Sequence, residues 1–256
     1  MAEFDSWLSY RCFEQATRRE FRYIRTEPCE RFLTLVRESA IQHKLTLDAG
    51  SIFWRARLGS EWKDDINADG SVIGGQELPL PPGEMIPRTW CANEGRANPK
   101  GIPYLYLSDK RDTALSETRP WVEASVSAAQ FRLIKKQTIV NCASTKRFTT
   151  IYLKEPSADK KAKAIWAHID QAFATPVTQN ESSAEYTPTQ VLAEMFKSAG
   201  YDGIRYRSSV GTGHNVVLFN LDSVTLHGCC VYKAKKIRCA FEQASNPYVV
   251  ADNNQL

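Results

Sequence analysis

The chain has 256 residues, 43% hydrophobic and 24% charged, with a net charge of +4. That is enough to bury a sizeable core and ordinary for a globular protein, and it excludes collagen-like, disordered and strongly nucleic-acid-binding classes. No apolar run is long enough to cross a membrane and the start lacks a signal pattern, so the expected location is cytoplasmic, with no membrane partner. The seven cysteines are an odd number and none forms a CxxC, which points to free thiols in a reducing compartment.

Residues 1 to about 46 read as helical, with apolar positions at Trp7, Leu8, Phe13 and Ala16, then Pro28 at the first turn of a second helix carrying Phe32, Leu33, Leu35 and Val36. Asp48-Ala-Gly50 breaks the pattern, so 1–50 is expected to be a helical extension, 51–245 the main domain and 246–256 a flexible tail. On the second helix, Arg37 and His43 have the R-x5-H spacing, which resembles a short motif of helical HEPN ribonucleases; a solvated helix end explains both residues more simply. SIFWRAR, 51–57, reads as a strand with Phe53, Arg55 and Arg57 on one face. The stretch 58–90 is rich in Gly, Pro, Asp and Asn and is expected to be a long irregular loop.

The most informative stretch is GRANPKGIPYLYLSDKRDTALSETRPW, 95–121. Period-two alternation over 103–107 places Tyr104 and Tyr106 on one strand face and Leu105 and Leu107 on the other. Ser108 or Asp109 is expected to cap a following helix, which Pro120 must stop near Glu117 or Thr118. Glu117 then sits in the last turn, where the helix macrodipole disfavours a carboxylate. Two explanations stand: a surface ion pair with Arg111 or Arg119, or a carboxylate held to face developing positive charge.

Strands follow at 122–133 and 137–142, then a helix over 157–173 with Trp166 in its apolar stripe, and a polar loop at 177–184. TPTQVLAEMFKSAG, 187–200, carries a threonine cap, an early proline and a terminal glycine, the pattern of a helix. Strands at 203–207 and 215–219 flank the loop SSVGTG, 208–213, whose donors suit phosphate or ribose hydroxyls and equally suit a plain turn. The basic run 233–238 reads as a solvated strand edge, and without interleaved aromatics it gives no expectation of direct nucleic-acid binding.

GxGxxG, Walker and G-x-S-x-G patterns are missing, and His227 with Cys229, Cys230 and Cys239 lacks zinc-site spacing, so no metal is expected. The remaining inventory of Arg, Tyr, Glu, Ser and Asn suits an anionic ligand and a cationic transition state.

Three blocks in order, FWRARL, GRANPKGIPYLYLSDKRDTALSETRPW and YTPTQVLAEMFKSAGYDGIRYRSSVGTGHNVVLF, together resemble the RES domain over roughly 50–225. The resemblance implies an α+β fold like that of ADP-ribosyltransferases, a small split or two-layer sheet with flanking helices. It implies NAD as substrate rather than cofactor, cleaved at the nicotinamide-ribose bond with water or phosphate as acceptor. It also implies a toxin role with an Xre-like antitoxin as partner, and it leaves room for a homodimer. By the same resemblance Arg55 binds the diphosphate, Tyr106 lies near the nicotinamide, Glu117 is the acidic residue and Ser208 or Ser209 the serine, with Ser208 preferred from its distance to Asn215. Arg96, Asn98, Ser209 and Asn215 are its expected substrate-binding neighbours. Two other roles share the pocket: mono-ADP-ribosylation of a protein, and non-catalytic nucleotide binding or protein interaction. The N-terminal helices and the 58–90 loop are additions to the shorter toxin members.

Overall fold

Two amphipathic helices start the fold, as their apolar spacing requires. In the computed structural model, which describes residues 3–89, 91–143, 151–175, 183–238, 241, 243 and 245, α1 is Ser9–Arg19 and α2 is Glu27–Ser39. Phe13 stacks on Phe32 with ring centroids 4.8 Å apart, locking the pair together. The helical expectation to residue 46 is corrected at its end. After a 3-10 turn, Ala40–His43, the chain forms strand β1, Lys44–Leu47, because KLTL alternates at period two and finds a later strand to pair with.

Strand β2, Ile52–Leu58, is followed by an antiparallel ribbon of β3, Glu61–Ile66, and β4, Val72–Leu78, and by the single-turn helix α3, Pro82–Met85. The expectation of an irregular loop at 58–90 is therefore corrected. The ribbon is turned by Asn67, whose side-chain oxygen accepts the amides of Asp69 (3.2 Å) and Ser71 (3.0 Å). Its β3 strand is exposed throughout, so it carries no core-facing alternation to betray it.

The remaining elements are β5, Leu105–Ser108; α4, Arg111–Glu117; β6, Ser125–Leu133; β7, Gln137–Asn141; α5, Ala158–Ala174; α6, Thr187–Ser198; β8, Gly203–Arg207; β9, His214–Leu218; and β10, Val224–Lys233. Most match the expected positions; β10 does not, since nothing in 224–233 marked it as a strand. The basic run contributes only Lys233 to this edge strand. Of the expected polar loop, 177–182 lies outside the described residues, as do Cys239 and the tail 246–256.

The fold is α+β. Eight strands form one sheet in the order β1-β7-β8-β9-β5-β2-β6-β10, in which only β7 and β8 run parallel. One face carries Tyr104, Val140, Ile204, Tyr206 and Val217 and packs on α1, α2, α5 and α6. The other carries Phe53, Leu105, Leu107, Phe131, Ile139 and Val216, with Met85 of α3 against it. Leu45 and Leu47 from one edge strand and Leu226 from the other pack on this same cluster, so the sheet curls over it.

The sheet is split at its middle. β2 pairs with β6 from Ile52↔Arg132 to Leu58↔Val126, and β5 pairs with β9 from Leu105↔Leu218 to Ser108↔Asn215. Between these wings β2 and β5 meet only at Trp54↔Ser108. No helix among the described residues is long and apolar enough to span a membrane.

Two local contacts fix the core tightly enough to test. A Cβ added at Gly203 would collide with the carbonyl oxygen of Val217 and lie 3.3 Å from Ile139 Cγ2. Gly203→Ala should cost about 2–3 kcal/mol, the upper range for overpacking, read from the urea midpoint. His43 stacks on Trp166 at 3.7 Å, and burial pushes its imidazole below its ordinary value against an opposing hydrogen bond to the Asn141 backbone. The unfolded chain therefore takes up the proton first as pH falls through about 6.5, the free histidine value, and stability drops from there downward. In a pH series from 7.5 to 5, His43→Gln should show the shallower loss.

Candidate active site

Glu117 is the last residue of α4, and Arg119, just past it, turns the chain with φ +47° before Pro120. Neither surface ion pair forms: Arg111 bonds Asp112 (3.0 Å), and the Glu117 carboxylate is met by neutral donors. Ser208 Oγ donates to Oε1 at 2.8 Å and Asn215 Nδ2 donates to the same oxygen at 2.5 Å. Among the described residues Oε2 accepts no hydrogen bond.

Both donors are themselves oriented. Ser208 Oγ accepts the amides of Val210 (3.2 Å) and Gly211 (2.9 Å), so its proton is left for Glu117. Asn215 Oδ1 accepts from Ser108 Oγ at 2.7 Å, which fixes the amide with its NH2 toward the carboxylate. The two serines of the hairpin thus separate by geometry, since Ser209 is exposed while Ser208 reaches Glu117.

The hairpin must lie against the start of α4 for this to happen. Gly213 N donates to Thr113 Oγ1 at 3.1 Å, and a Cβ on Gly211 would stand 2.7 Å from that same oxygen. Asp109 takes part here rather than at the helix cap. The N-cap is Lys110, whose side chain makes no capping bond, while Asp109 accepts the His214 amide at 2.8 Å and lies 2.9 Å from His214 Nδ1. The capping expectation for Ser108 or Asp109 is corrected on both counts, because each side chain is bound to β9.

Arg55 comes from the other wing. Its Nη1 donates to the Tyr106 carbonyl at 3.3 Å, while its Nε is buried without a partner. Burial, with the neighbouring Arg57 charge adding to it, lowers the guanidinium to about 10, so it remains a cation at neutral pH, and among the described residues no carboxylate pairs with it. Tyr106 donates its hydroxyl to Asn98 Oδ1 (2.7 Å) and accepts the Ala97 amide (2.9 Å); burial pushes its ionisation well up.

Two chambers lie beside these groups. One chamber, about 300 Å³, is lined by Glu117, Asn215, Ser108, Tyr206 and Trp54. A second, about 520 Å³, is lined by Arg57, Glu84, Arg88, Asn93 and Asn98. Arg55 and Tyr106 line both and form the junction. Arg96 stands apart: its Nη1 donates to the Phe173 carbonyl at 2.9 Å and its guanidinium sits 5.9 Å from the centre of the Tyr206 ring. The structure thus brings Arg55, Tyr106, Glu117, Ser208, Asn215 and Asn98 together and leaves Arg96 and Ser209 outside. Sequence reasoning missed Tyr206, whose alternation with the arginines of IRYR was the available signal, and the polar set Arg57, Glu84 and Arg88. Arg37 and His43 form no site together, Arg37 being exposed on α2 and His43 stacked on Trp166.

The RES domain family matches residues 79–241. The chain belongs to that family. The match includes Tyr106, Glu117, Ser208 and Asn215, while Arg55 lies ahead of it. Among solved structures the chain is similar to the M. tuberculosis MbcT–MbcA toxin-antitoxin complex, at 10% identity over 78% of this chain and 92% of that one, with a TM-score of 0.43. A search of curated proteins gave no match. The RES cleft as seen here joins a fixed carboxylate to an unneutralised arginine across the seam of a split sheet.

Among the described residues Arg55 has no counter-charge, so replacing it should leave the fold intact. Arg55→Leu is expected to be neutral or to gain up to about 1 kcal/mol in stability, by removing a desolvated charge. A large loss of stability would show that the cation is structural.

Proposed function

We propose that this RES domain destroys NAD by cleaving the bond between nicotinamide and its ribose. The observation that carries the reading is the Glu117 carboxylate, fixed through one oxygen by Ser208 and Asn215 with the other left open beside the smaller chamber. As the glycosidic bond breaks, its electron pair leaves with nicotinamide and positive charge builds on the ribose. A carboxylate already oriented toward that charge stabilises it without reorganising. The acceptor oxygen, from water or phosphate, then bonds the anomeric carbon and gives up its proton to solvent.

The other residues take supporting parts. Arg55, a cation with buried Nε lacking a partner, grips the diphosphate with charge-assisted bonds. Tyr106 and Tyr206 offer ring surface at the nicotinamide end, and the 208–213 hairpin acts through Ser208, which holds Glu117 in place. NAD is the substrate and no cofactor is required for these steps. From its family we also assign it a toxin role, with an antitoxin protein carrying an Xre-like part as partner.

Purified protein incubated with NAD, with and without phosphate, should release free nicotinamide, and dependence on phosphate would name the acceptor. Glu117→Gln should lower that release by about 10²- to 10³-fold, the loss expected when one preorganised electrostatic group is removed, while NAD binding persists. Full activity in Glu117→Gln would overturn the assignment. Label from NAD retained on a protein rather than in free product would redirect it to transfer chemistry.

A further inference from the structure

The larger chamber contains a charged cluster that NAD cleavage does not use. Arg57 Nη1 donates to Glu84 Oε2 at 2.7 Å and also to the Glu84 carbonyl, and Arg88 Nη2 donates to Oε1. Both oxygens of one carboxylate thus hold two arginines. Hydrogen bonds from Arg57 and then Arg88 keep the Glu84 carboxyl below its ordinary value, so it is ionised at neutral pH. On an open surface such a pair would contribute little. Here all three side chains, though partly open to solvent, line the chamber that Arg55 also lines.

Their placement along the cleft matters. Arg57 lies two residues beyond Arg55 on β2, roughly 6–7 Å at the usual strand rise, a step like that from a diphosphate to the 2′ oxygen of an adenosine ribose. With the diphosphate at Arg55 and the nicotinamide end in the Glu117 chamber, the adenosine half must enter the chamber that holds Arg57, Glu84 and Arg88. A carboxylate at that point accepts a ribose 2′-hydroxyl, whereas free arginines accept a 2′-phosphate. Glu84 already occupies both arginines, tethered at a high effective concentration, and its charge opposes an incoming phosphate.

Resting on the NAD reading above, we infer that Glu84 is a specificity-determining residue of the cleft: held by Arg57 and Arg88, its carboxylate faces the adenosine ribose and selects NAD over its 2′-phosphorylated form, NADP. The arginine pair beneath it is a masked phosphate subsite.

The test is the ratio of NADP to NAD affinity, measured by calorimetry in the Glu117→Gln background so that no turnover intervenes, and the ratio of kcat/KM with Glu117 intact. The unaltered cleft should favour NAD. Glu84→Gln should move both ratios toward NADP by about tenfold or more. Glu84→Asp should keep most of the preference, and Glu84→Gln with Arg88→Ala should fall back. A merely loosened wall would weaken both dinucleotides together and leave the ratio alone. An unmoved ratio in Glu84→Gln, or an unaltered cleft that favours NADP, would overturn the inference. If NAD binds but is never cleaved, the functional reading fails while the affinity ratio still decides this one; if neither dinucleotide binds, both fall.

Discussion

A carboxylate at the C-terminal end of a helix faces the negative end of the macrodipole, and the RES cleft is organised around keeping one there. Glu117 cannot hold itself in place, and among the described residues no cation does so; two neutral donors, Ser208 and Asn215, bind one of its oxygens. Neutral donors orient the group and leave its charge uncancelled, which an arginine would not. The donors come from the β8–β9 hairpin, so that hairpin must lie on α4. Gly211 and Gly213 permit the close approach, with Thr113 receiving the Gly213 amide. The local sequence of the hairpin is thus dictated by Thr113, which lies against both glycines from a distant point in the chain.

The split in the sheet serves the same end. Had β2 and β5 paired along their length, the backbone groups near Trp54 and Ser108 would be closed off and no cleft would open between the wings. One wing then delivers Arg55 and the other Glu117 with Asn215. The cost of separation is borne at Arg55, whose charge is desolvated without a counter-ion and whose Nε lacks a partner. An unmatched buried cation destabilises the empty protein and favours any ligand that brings an anion to it, the usual tension between stability and function.

Much of the framework was legible because burial imposes alternation. Tyr104 and Leu105 face opposite cores, as their period-two pattern required, and Trp166 is buried in the helical layer as its stripe implied. What could not be read was whatever depended on a distant partner. β1 forms because β7 is available, the β3–β4 ribbon is exposed and lacks an apolar face, and Asp109 prefers the His214 amide to the helix end beside it. The site followed the same rule. Glu117 stood out by its position before Pro120, but its two donors could not be assigned by chemistry alone, since Ser208 and Ser209 are identical until the Val210 and Gly211 amides select one of them. Arg96 could not be placed from its polar loop alone; in the structure it bonds the C-terminal turn of α5 through the Phe173 carbonyl.

The GRANP block supports the cleft from behind. Asn98 is 2% exposed, and its amide is fully engaged: Nδ2 donates to the carbonyls of Asn93, Pro99 and Ile102, and Oδ1 accepts from Tyr106. No donor is left for a substrate. Gln190 of α6 clamps the same loop through the Gly95 and Asn98 carbonyls, each at 3.0 Å. Gly95 lies so close that a Cβ there would sit 2.6 Å from the Tyr106 hydroxyl. This network therefore sets the tilt of Tyr106, and the carbonyl of Tyr106 in turn receives Arg55. Tyr106 links the loop to the cation, its hydroxyl meeting the loop and its carbonyl meeting the arginine that lines both chambers. Residues of the block thus act on the cleft through Tyr106 and Arg55, the two groups that both chambers share.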